Sequence, residues 1–292
     1  MRRALTLSFL AFAFLGGALC ARADNPGAIS GVHGHSDNLV SLSLGVAPEI
    51  FPRYEGSDQS RTYWFPLVDL QIGRPNGPWL VYAGASRNYV PLGQGVGVYP
   101  VHTGTFNWNV EIARTDTRPE DRGDALAGLG DRRANWFVST RASWRFWHGH
   151  VQTDVALLHG LLDDAGTLGY VRAELQGRTG PWFGAVASKV YVSDASNLRY
   201  DFGVTPEQAV TRAGLVASGD PRLTPSEIGP YLPGAGFRSA DATASGGYAF
   251  AGRARLFAYG QLGVLLGPTV DSPLVKTRRL YLVGAGVSVA VF

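Results

Sequence analysis

The sequence predicts an all-β protein: an antiparallel transmembrane β-barrel of the outer membrane, with ten to twelve strands and one short loop helix. Three observations predict this class. The chain opens with an export signal, its composition suits strands, and several segments of about ten residues alternate between apolar and polar positions. We expect localisation in the outer membrane of a Gram-negative bacterium, with the outer wall in contact with lipid.

Residues 1–23 have the pattern of a secretory signal peptide. Arg2 and Arg3 precede an uncharged apolar stretch, and Ala21-Arg22-Ala23 supplies a small-x-small cleavage site. The apolar stretch is shorter than the roughly 20 residues of a spanning helix, so we interpret it as removed near Ala23. Residues 24–292 are then predicted to form a single barrel domain. Acylation at Cys20 is the alternative, but bulky Leu19 stands where a lipoprotein peptidase needs a small residue.

The composition excludes several classes of function. The chain has 38 glycines, 11% aromatic residues and only 17% charged residues, which favours strands over helices. The net charge of +3 is small and the basic residues are scattered, so no nucleic-acid partner is indicated. The one cysteine lies in the signal peptide, so disulfides, thiolate catalysis and cysteine metal sites are not expected in the mature chain.

Alternation is clearest in residues 135–147. One face carries Trp136, Val138 and Trp144, and the other carries Ser139 and Arg141. No segment after residue 23 is long enough for a spanning helix, so a membrane position requires a barrel. A soluble β-sandwich also alternates, and it stays the alternative, although the export signal and the tryptophans at strand ends favour the barrel.

Eleven segments are predicted as strands: 39–47, 62–73, 79–88, 105–114, 135–147, 150–159, 168–177, 182–193, 237–250, 254–266 and 279–292. Barrels of this kind use an even number of strands. We therefore expect one error in this set, most simply a missed strand between Val90 and Val101, where glycines blur the period.

The connections fall into two classes. Residues 147–150 and 251–253 are tight, as periplasmic turns are, whereas 114–133, 193–236 and 267–278 are long and polar, as extracellular loops are. Thr205-Pro206-Glu207-Gln208 has a cap residue, a proline at the first helical position and a glutamine three residues after the cap. A helix from Pro206 to about Gly214 is predicted.

Charged residues on the polar faces are predicted to line the lumen. They could form ion pairs that fill the barrel, which we favour, or a selectivity lining for a small solute. The candidate lumen-lining residues are Glu111, Arg141, Arg145, Asp154, Arg172 and Glu174.

Three loop segments mix glycine, aspartate and aliphatic residues, as binding loops do and as tight turns also do. The candidate partner-facing residues are Tyr54, Glu55, Asp58, Asp124, Asp131 and Asp271.

Catalysis and cofactors are not indicated. His148 and His150 flank Gly149 in a tight turn, and His33 and His35 lie near the mature N-terminus; ordinary surface histidines explain both pairs better than metal sites. We expect a protein that is not an enzyme and that has no cofactor.

Four groups of residues resemble the MipA/OmpV family of outer-membrane proteins. They are Ala47-Pro48-Glu49 with Tyr54-Glu55-Gly56-Ser57-Asp58, residues 122–131, Phe202 to Ala209, and Pro233-Gly234-Ala235-Gly236 with 271–275. The resemblance implies a scaffold in peptidoglycan maintenance that holds a murein hydrolase (the lytic transglycosylase MltA for the founding member) near a murein synthase. The stretch 216–231 is longer than the family's usual link. A narrow porin-like channel or solute-responsive protein is the alternative function.

Overall fold

The structure is a computed structural model that describes residues 40–74, 77–85, 94–250 and 253–291. Strands dominate it, and they pair in sequence order, each antiparallel to the next. The last strand pairs back onto the first, with Val287 opposite Val46, so the sheet is a closed barrel. The predicted signal peptide, with His33 and His35, lies outside the described residues.

Twelve strands form the barrel in this part of the chain. They are β1 (Val40–Pro52), β2 (Ser60–Ile72), β3 (Leu80–Ala85), β4 (Gln94–His102), β5 (Phe106–Arg114), β6 (Trp136–Phe146), β7 (Val151–Gly160), β8 (Thr167–Thr179), β9 (Trp182–Ser193), β10 (Gly236–Phe250), β11 (Ala254–Leu265) and β12 (Arg279–Ala290). The closed single sheet rules out the sandwich alternative.

The strand missing from the predicted eleven is β4, in the interval where it was expected. Its glycines hide the two-residue period because they have no side chain to mark a face. Gly97 has a structural reason to be glycine: a Cβ there would overlap the ring of Tyr82 on the neighbouring strand β3. Glycine at position 97 thus makes room for the Tyr82 ring inside the barrel, and the same glycine interrupts the alternating sequence pattern.

The two faces of each strand meet different surroundings. On β6, Val138 is 40% exposed whereas the adjacent Ser139 is 3% exposed and faces the lumen. The same outward aliphatic pattern continues on β7, β8 and β12 with Leu157, Val171 and Val283. An apolar outer wall around a closed sheet is the surface that a lipid bilayer requires of a barrel.

Aromatic residues collect at the end of the barrel that has the short turns. Trp79, Trp147 and Trp182 all lie beside such turns and are exposed. Trp182 packs edge-on against Tyr248 of β10, with ring centroids 4.9 Å apart. Amphipathic rings at this level form the girdle that anchors a barrel at the membrane interface.

Two helices lie between β9 and β10, where one was predicted: α1 (Ala195–Phe202) and α2 (Pro206–Ala217). The predicted capping box of α2 is present, with the Thr205 hydroxyl accepting from the Gln208 backbone N–H at 3.2 Å. The count of one helix was wrong because α1 is only eight residues long and is held by tertiary contacts. No helix in the described residues is long and apolar enough to cross a membrane.

An arginine in place of Val171 tests which face meets lipid. Val171 is 59% exposed and is paired with Val155 and Val190 on the neighbouring strands. We expect Val171→Arg to lower the free energy of unfolding by about 2–4 kcal/mol in lipid vesicles, since a lipid-facing cation near the midplane costs that much. Urea titration of the refolded barrel measures it. Leu162→Arg, an exposed loop position, is the matched control, and equal stability of both variants would contradict a lipid-facing wall at Val171.

Candidate functional site

The long connections gather at one end of the barrel and form a structure that we call the cap: residues 53–59, 115–135, 161–166, 194–235 and 266–278. Antiparallel order forces this, because alternate connections must share an end. The cap has apolar cores of its own. Leu198 and Phe202 of α1 pack with Leu265 and Leu280 at the strand ends, so the cap is continuous with the barrel wall.

Asp201, near the end of α1, is the electrostatic centre of the cap. Its carboxylate pairs with Arg132 and, at 2.6 Å, with Arg238 of β10. Arg118 donates to the Asp201 backbone carbonyl at 2.9 Å. Arg238 also pairs with Glu55 at 2.5 Å, which ties the 53–59 segment into the same group. We call these five residues the Asp201 cluster.

The Asp201 cluster contains three arginines and two carboxylates, so its net formal charge is positive. Burial by itself would raise the pKa of Asp201, but Arg238, Arg132 and Arg118 outweigh it and hold that pKa well below its usual range. Burial, followed by the nearby Arg132, lowers the pKa of Arg118 to about 9. Both groups therefore stay ionised at neutral pH.

Arg212 of α2 joins two segments of the cap. It is fully buried, and its guanidinium donates to the carbonyls of Ala125 at 2.8 Å, Ala127 at 2.9 Å and Glu227 at 3.0 Å. The acceptors of these hydrogen bonds are backbone carbonyl oxygens and not carboxylates. Arg212 therefore holds the backbones of segments 115–135 and 194–235 together. Burial is the cause that lowers the pKa of Arg212.

The 266–278 segment is held in the same way. The Ser272 hydroxyl donates to the Phe202 carbonyl at 2.6 Å, and Lys276 pairs with Glu227. Tyr54 of the 53–59 segment packs against Gly123 of the 115–135 segment, where a Cβ would overlap the tyrosine ring. The cap is therefore an interlocked unit rather than a set of separate loops.

The six candidate partner-facing residues are not equivalent in this arrangement. Glu55 faces inward to Arg238, and Tyr54 is half-buried against the 115–135 segment. The other four carboxylates are exposed on the outside of the cap: Asp58, Asp124, Asp131 and Asp271. The tyrosine and the glutamate are thus turned toward the protein, whereas the aspartates are accessible, although Asp131 also accepts a hydrogen bond from the Glu120 backbone N–H at 2.8 Å.

The six candidate lumen-lining residues all lie on inward faces, and the structure brings most of them together. Arg172 of β8 pairs with Asp154 of β7 at 3.0 Å and with Glu174 on its own strand. Gln152 donates to Asp154 at 2.9 Å and accepts from Arg145 at 3.2 Å. These groups form one continuous network along β6, β7 and β8.

Glu111 and Arg141 have tyrosines as hydrogen-bond partners, and the charge of Arg141 also acts on Asp154 of the network. The Tyr82 hydroxyl donates to Glu111 at 2.7 Å, and Arg141 donates to the Tyr99 hydroxyl at 3.2 Å. Lys189 of β9 lies 4.8 Å from the centre of the Tyr170 ring. Alternation put Tyr170 on the polar face of its strand, but sequence reasoning missed Tyr82 and Tyr99 because a tyrosine suits either face.

The histidines of the described residues make ordinary contacts. His150 lies 3.1 Å from the Gln176 carbonyl, and His159 lies 3.0 Å from the Thr167 hydroxyl. His148 occupies the left-handed region in its turn, with φ of 56°. Within the part of the chain that the structure describes, no group of three or more histidine, cysteine, aspartate or glutamate side chains could hold a metal ion.

Comparison with solved structures finds β-barrels of the outer membrane. The NanC porin is 8% identical, with a TM-score of 0.42, over 84% of this chain and 98% of that chain. Outer-membrane expressed OmpT of Vibrio cholerae is 7% identical, with a TM-score of 0.37, over 88% and 99%. The β domain of the Bordetella autotransporter BrkA is 12% identical, with a TM-score of 0.39, over 86% and 99%. Identities this low say nothing about ligands or partners.

Comparison by sequence is more specific. No curated protein matches the chain significantly. A family model described as MltA-interacting protein MipA matches residues 44–290, from the first strand to the last. This confirms the resemblance seen in the loop motifs. The chain therefore belongs to the MltA-interacting protein MipA family, and its fold is a twelve-stranded barrel of the outer-membrane type.

Proposed function

We propose that this protein is a non-enzymatic scaffold of the outer membrane that binds a lytic transglycosylase and thereby contributes to peptidoglycan maintenance. The observation that carries the proposal is the family match over residues 44–290, since the family takes its description from interaction with MltA. A murein synthase is the second partner that the resemblance implies. The protein holds such enzymes near each other without taking part in their chemistry.

The partner surface is proposed to lie at the turn end of the barrel. Short turns of such barrels face the periplasm, and long loops face the outside. Murein lies in the periplasm, so an enzyme that works on it meets the turns between strands rather than the cap. On this proposal the four exposed cap aspartates do not contact the murein enzymes, which differs from the sequence-based expectation. The chain also enters the barrel at this end, at Val40.

A filled lumen favours the scaffold over the porin-like alternative. The Arg172 network and the tyrosine contacts of Glu111 and Arg141 occupy the interior, and the cap covers one end. A solute would have to break buried ion pairs in order to pass, and breaking such pairs is costly. We therefore expect planar bilayers that contain the purified protein to show no open-channel steps.

Capture of a purified MltA-type lytic transglycosylase by the refolded barrel tests the proposal. We expect saturable binding by the wild type. Arg178→Glu combined with Arg253→Glu, two exposed positions beside the turns, is expected to weaken it about tenfold, as loss of charged interface contacts does. The matched control reverses the charge of two exposed cap residues, Asp124→Lys with Asp271→Lys.

Each outcome has a distinct meaning. Absence of binding by the wild type overturns the scaffold proposal. Binding that is lost in the cap control and kept in the turn variant overturns the assignment of the partner surface to the turn end. Channel steps in the bilayer measurement would favour the porin-like alternative instead.

A further inference from the structure

A cavity lies where the cap meets the lumen, and its wall is rich in arginine. Strand ends and cap segments both line it. The cavity is partly open and holds about 110 Å³ of solvent, which is room for several water molecules or one small solute. The arginines that line it are Arg53, Arg61, Arg118, Arg122, Arg132 and Arg238.

Positive charge exceeds negative charge in this wall. Glu55, Asp116 and Asp201 are the three carboxylates among its lining residues, against six arginines. Burial raises the pKa of the lining Tyr54 above its usual value, so its hydroxyl adds no negative charge at neutral pH. An excess of three formal charges thus faces a partly enclosed space, and a low-dielectric surrounding strengthens its attraction for an anion.

A second observation, independent of charge, points to a ligand. Gln261 of β11 lines the same cavity and is 2% exposed. Neither its amide nitrogen nor its amide oxygen has a hydrogen-bond partner among the described residues, and the same holds for Nε of Arg132. Leaving a buried amide unpaired costs free energy, so such a group at a cavity wall calls for a partner from the cavity.

We infer that this cavity is a binding site for a small oxyanion, a solute with a carboxylate or phosphate group that the arginines recognise and with a neighbouring polar atom that Gln261 recognises. Guanidinium groups suit both anions because their paired N–H donors match two oxygens at once. The lining residues Phe51, Gln261 and Leu280 lie on the inward faces of their strands, so the proposal commits to a soluble oxyanion rather than a lipid headgroup. The site is separate from the proposed partner surface at the turn end, so either proposal can fail without the other.

Calorimetric titration of the refolded barrel in detergent at low salt tests the inference, with inorganic phosphate and succinate as separate probes. We expect saturable binding of one of them, weakened as ionic strength rises. Gln261→Leu and Arg53→Gln are the cavity variants, chosen because neither belongs to the Asp201 cluster. Each is expected to raise the Kd about tenfold, as loss of a hydrogen bond to a charged group does.

Arg178→Gln, at the opposite end of the barrel, is the control and should leave the Kd unchanged. Binding of phosphate or of succinate decides which oxyanion the site takes. The inference is overturned if neither probe binds saturably, or if the cavity variants bind as tightly as the wild type. Heat-modifiable migration on a gel verifies that each variant is folded, so a misfolded protein is not counted as a loss of binding.

Discussion

Replacement of Asp201 by asparagine is expected to open the cap while the barrel stays closed. The substitution removes the carboxylate that Arg132 and Arg238 share and leaves their guanidinium groups without their central counter-ion. The Arg238–Asp201 pair is largely buried, with 3% and 16% of the two side chains exposed, and breaking such a pair from one side costs about 3 kcal/mol. The cost falls on the cap, because α1 and the 115–135 segment meet at Asp201.

Trypsin cleavage of the 194–235 segment measures this effect. If the cap opens and closes faster than the protease cuts, the cleavage rate follows the open population, and 3 kcal/mol corresponds to a rise of about a hundredfold. Asp163→Asn, at an exposed position of the 161–166 loop, is the matched control. Equal cleavage rates in Asp201→Asn and the control would show that the cluster does not hold the cap.

Acidification should produce the same opening in the wild type. The pKa of Asp201 is lower in the folded protein than its ordinary value of 3.8, so its ionised form stabilises the cap. That stabilisation is complete above pH 3.8 and is lost as the pH falls through the window between 3.8 and the lower folded value. Pepsin cleavage across this window should rise in the wild type and change less in Asp201→Asn.

Arg172→Met is expected to destabilise the barrel itself. Arg172 pairs with both Asp154 and Glu174, and all three side chains are buried in the lumen. The substitution leaves two carboxylates facing each other without that cation, so we expect a loss of about 3–5 kcal/mol in the free energy of unfolding. Urea titration followed by the gel-migration shift of the folded barrel measures the loss.

Two further variants separate charge from packing. Adding Glu174→Gln to Arg172→Met removes the carboxylate that Arg172 chiefly offsets, whereas Asp154 keeps Arg141 as a counter-ion, so part of the lost stability should return. Arg178→Met, an exposed position of the same strand, controls for the arginine-to-methionine change. An unfolding midpoint that is the same in Arg172→Met and Arg178→Met would refute a stabilising role for the lumen network.

The strands were predictable because their signal is local. A strand with lipid on one face and the lumen on the other must alternate every second residue, and β6 does so whatever the rest of the chain does. The same local logic located α2, whose capping box lies within four consecutive residues. Prediction failed at β4, because glycines have no side chain to show which face is apolar. It also failed at α1, because eight residues are too few to show a helical period.

The lumen was predictable in part. Parity alone put Arg141, Asp154, Arg172 and Glu174 on inward faces, as the structure has them. Which of them pair depends on the register between strands. The alternation within one strand does not specify which residue of the neighbouring strand lies opposite. Arg172 lies opposite Asp154 only because β7 and β8 pair with that offset.

The sequence by itself determined the barrel class, the faces of its strands and the family to which the chain belongs, because alternation and motifs are local patterns of neighbouring residues. Only the tertiary structure decided the cap, the Asp201 cluster and the arginine-lined cavity. Glu55, Arg132, Asp201 and Arg238 are far apart in the chain and meet through loop paths that no local pattern specifies. Long-range ion pairs and burial determine those loop paths. These interactions form only after the barrel has brought the loop ends together.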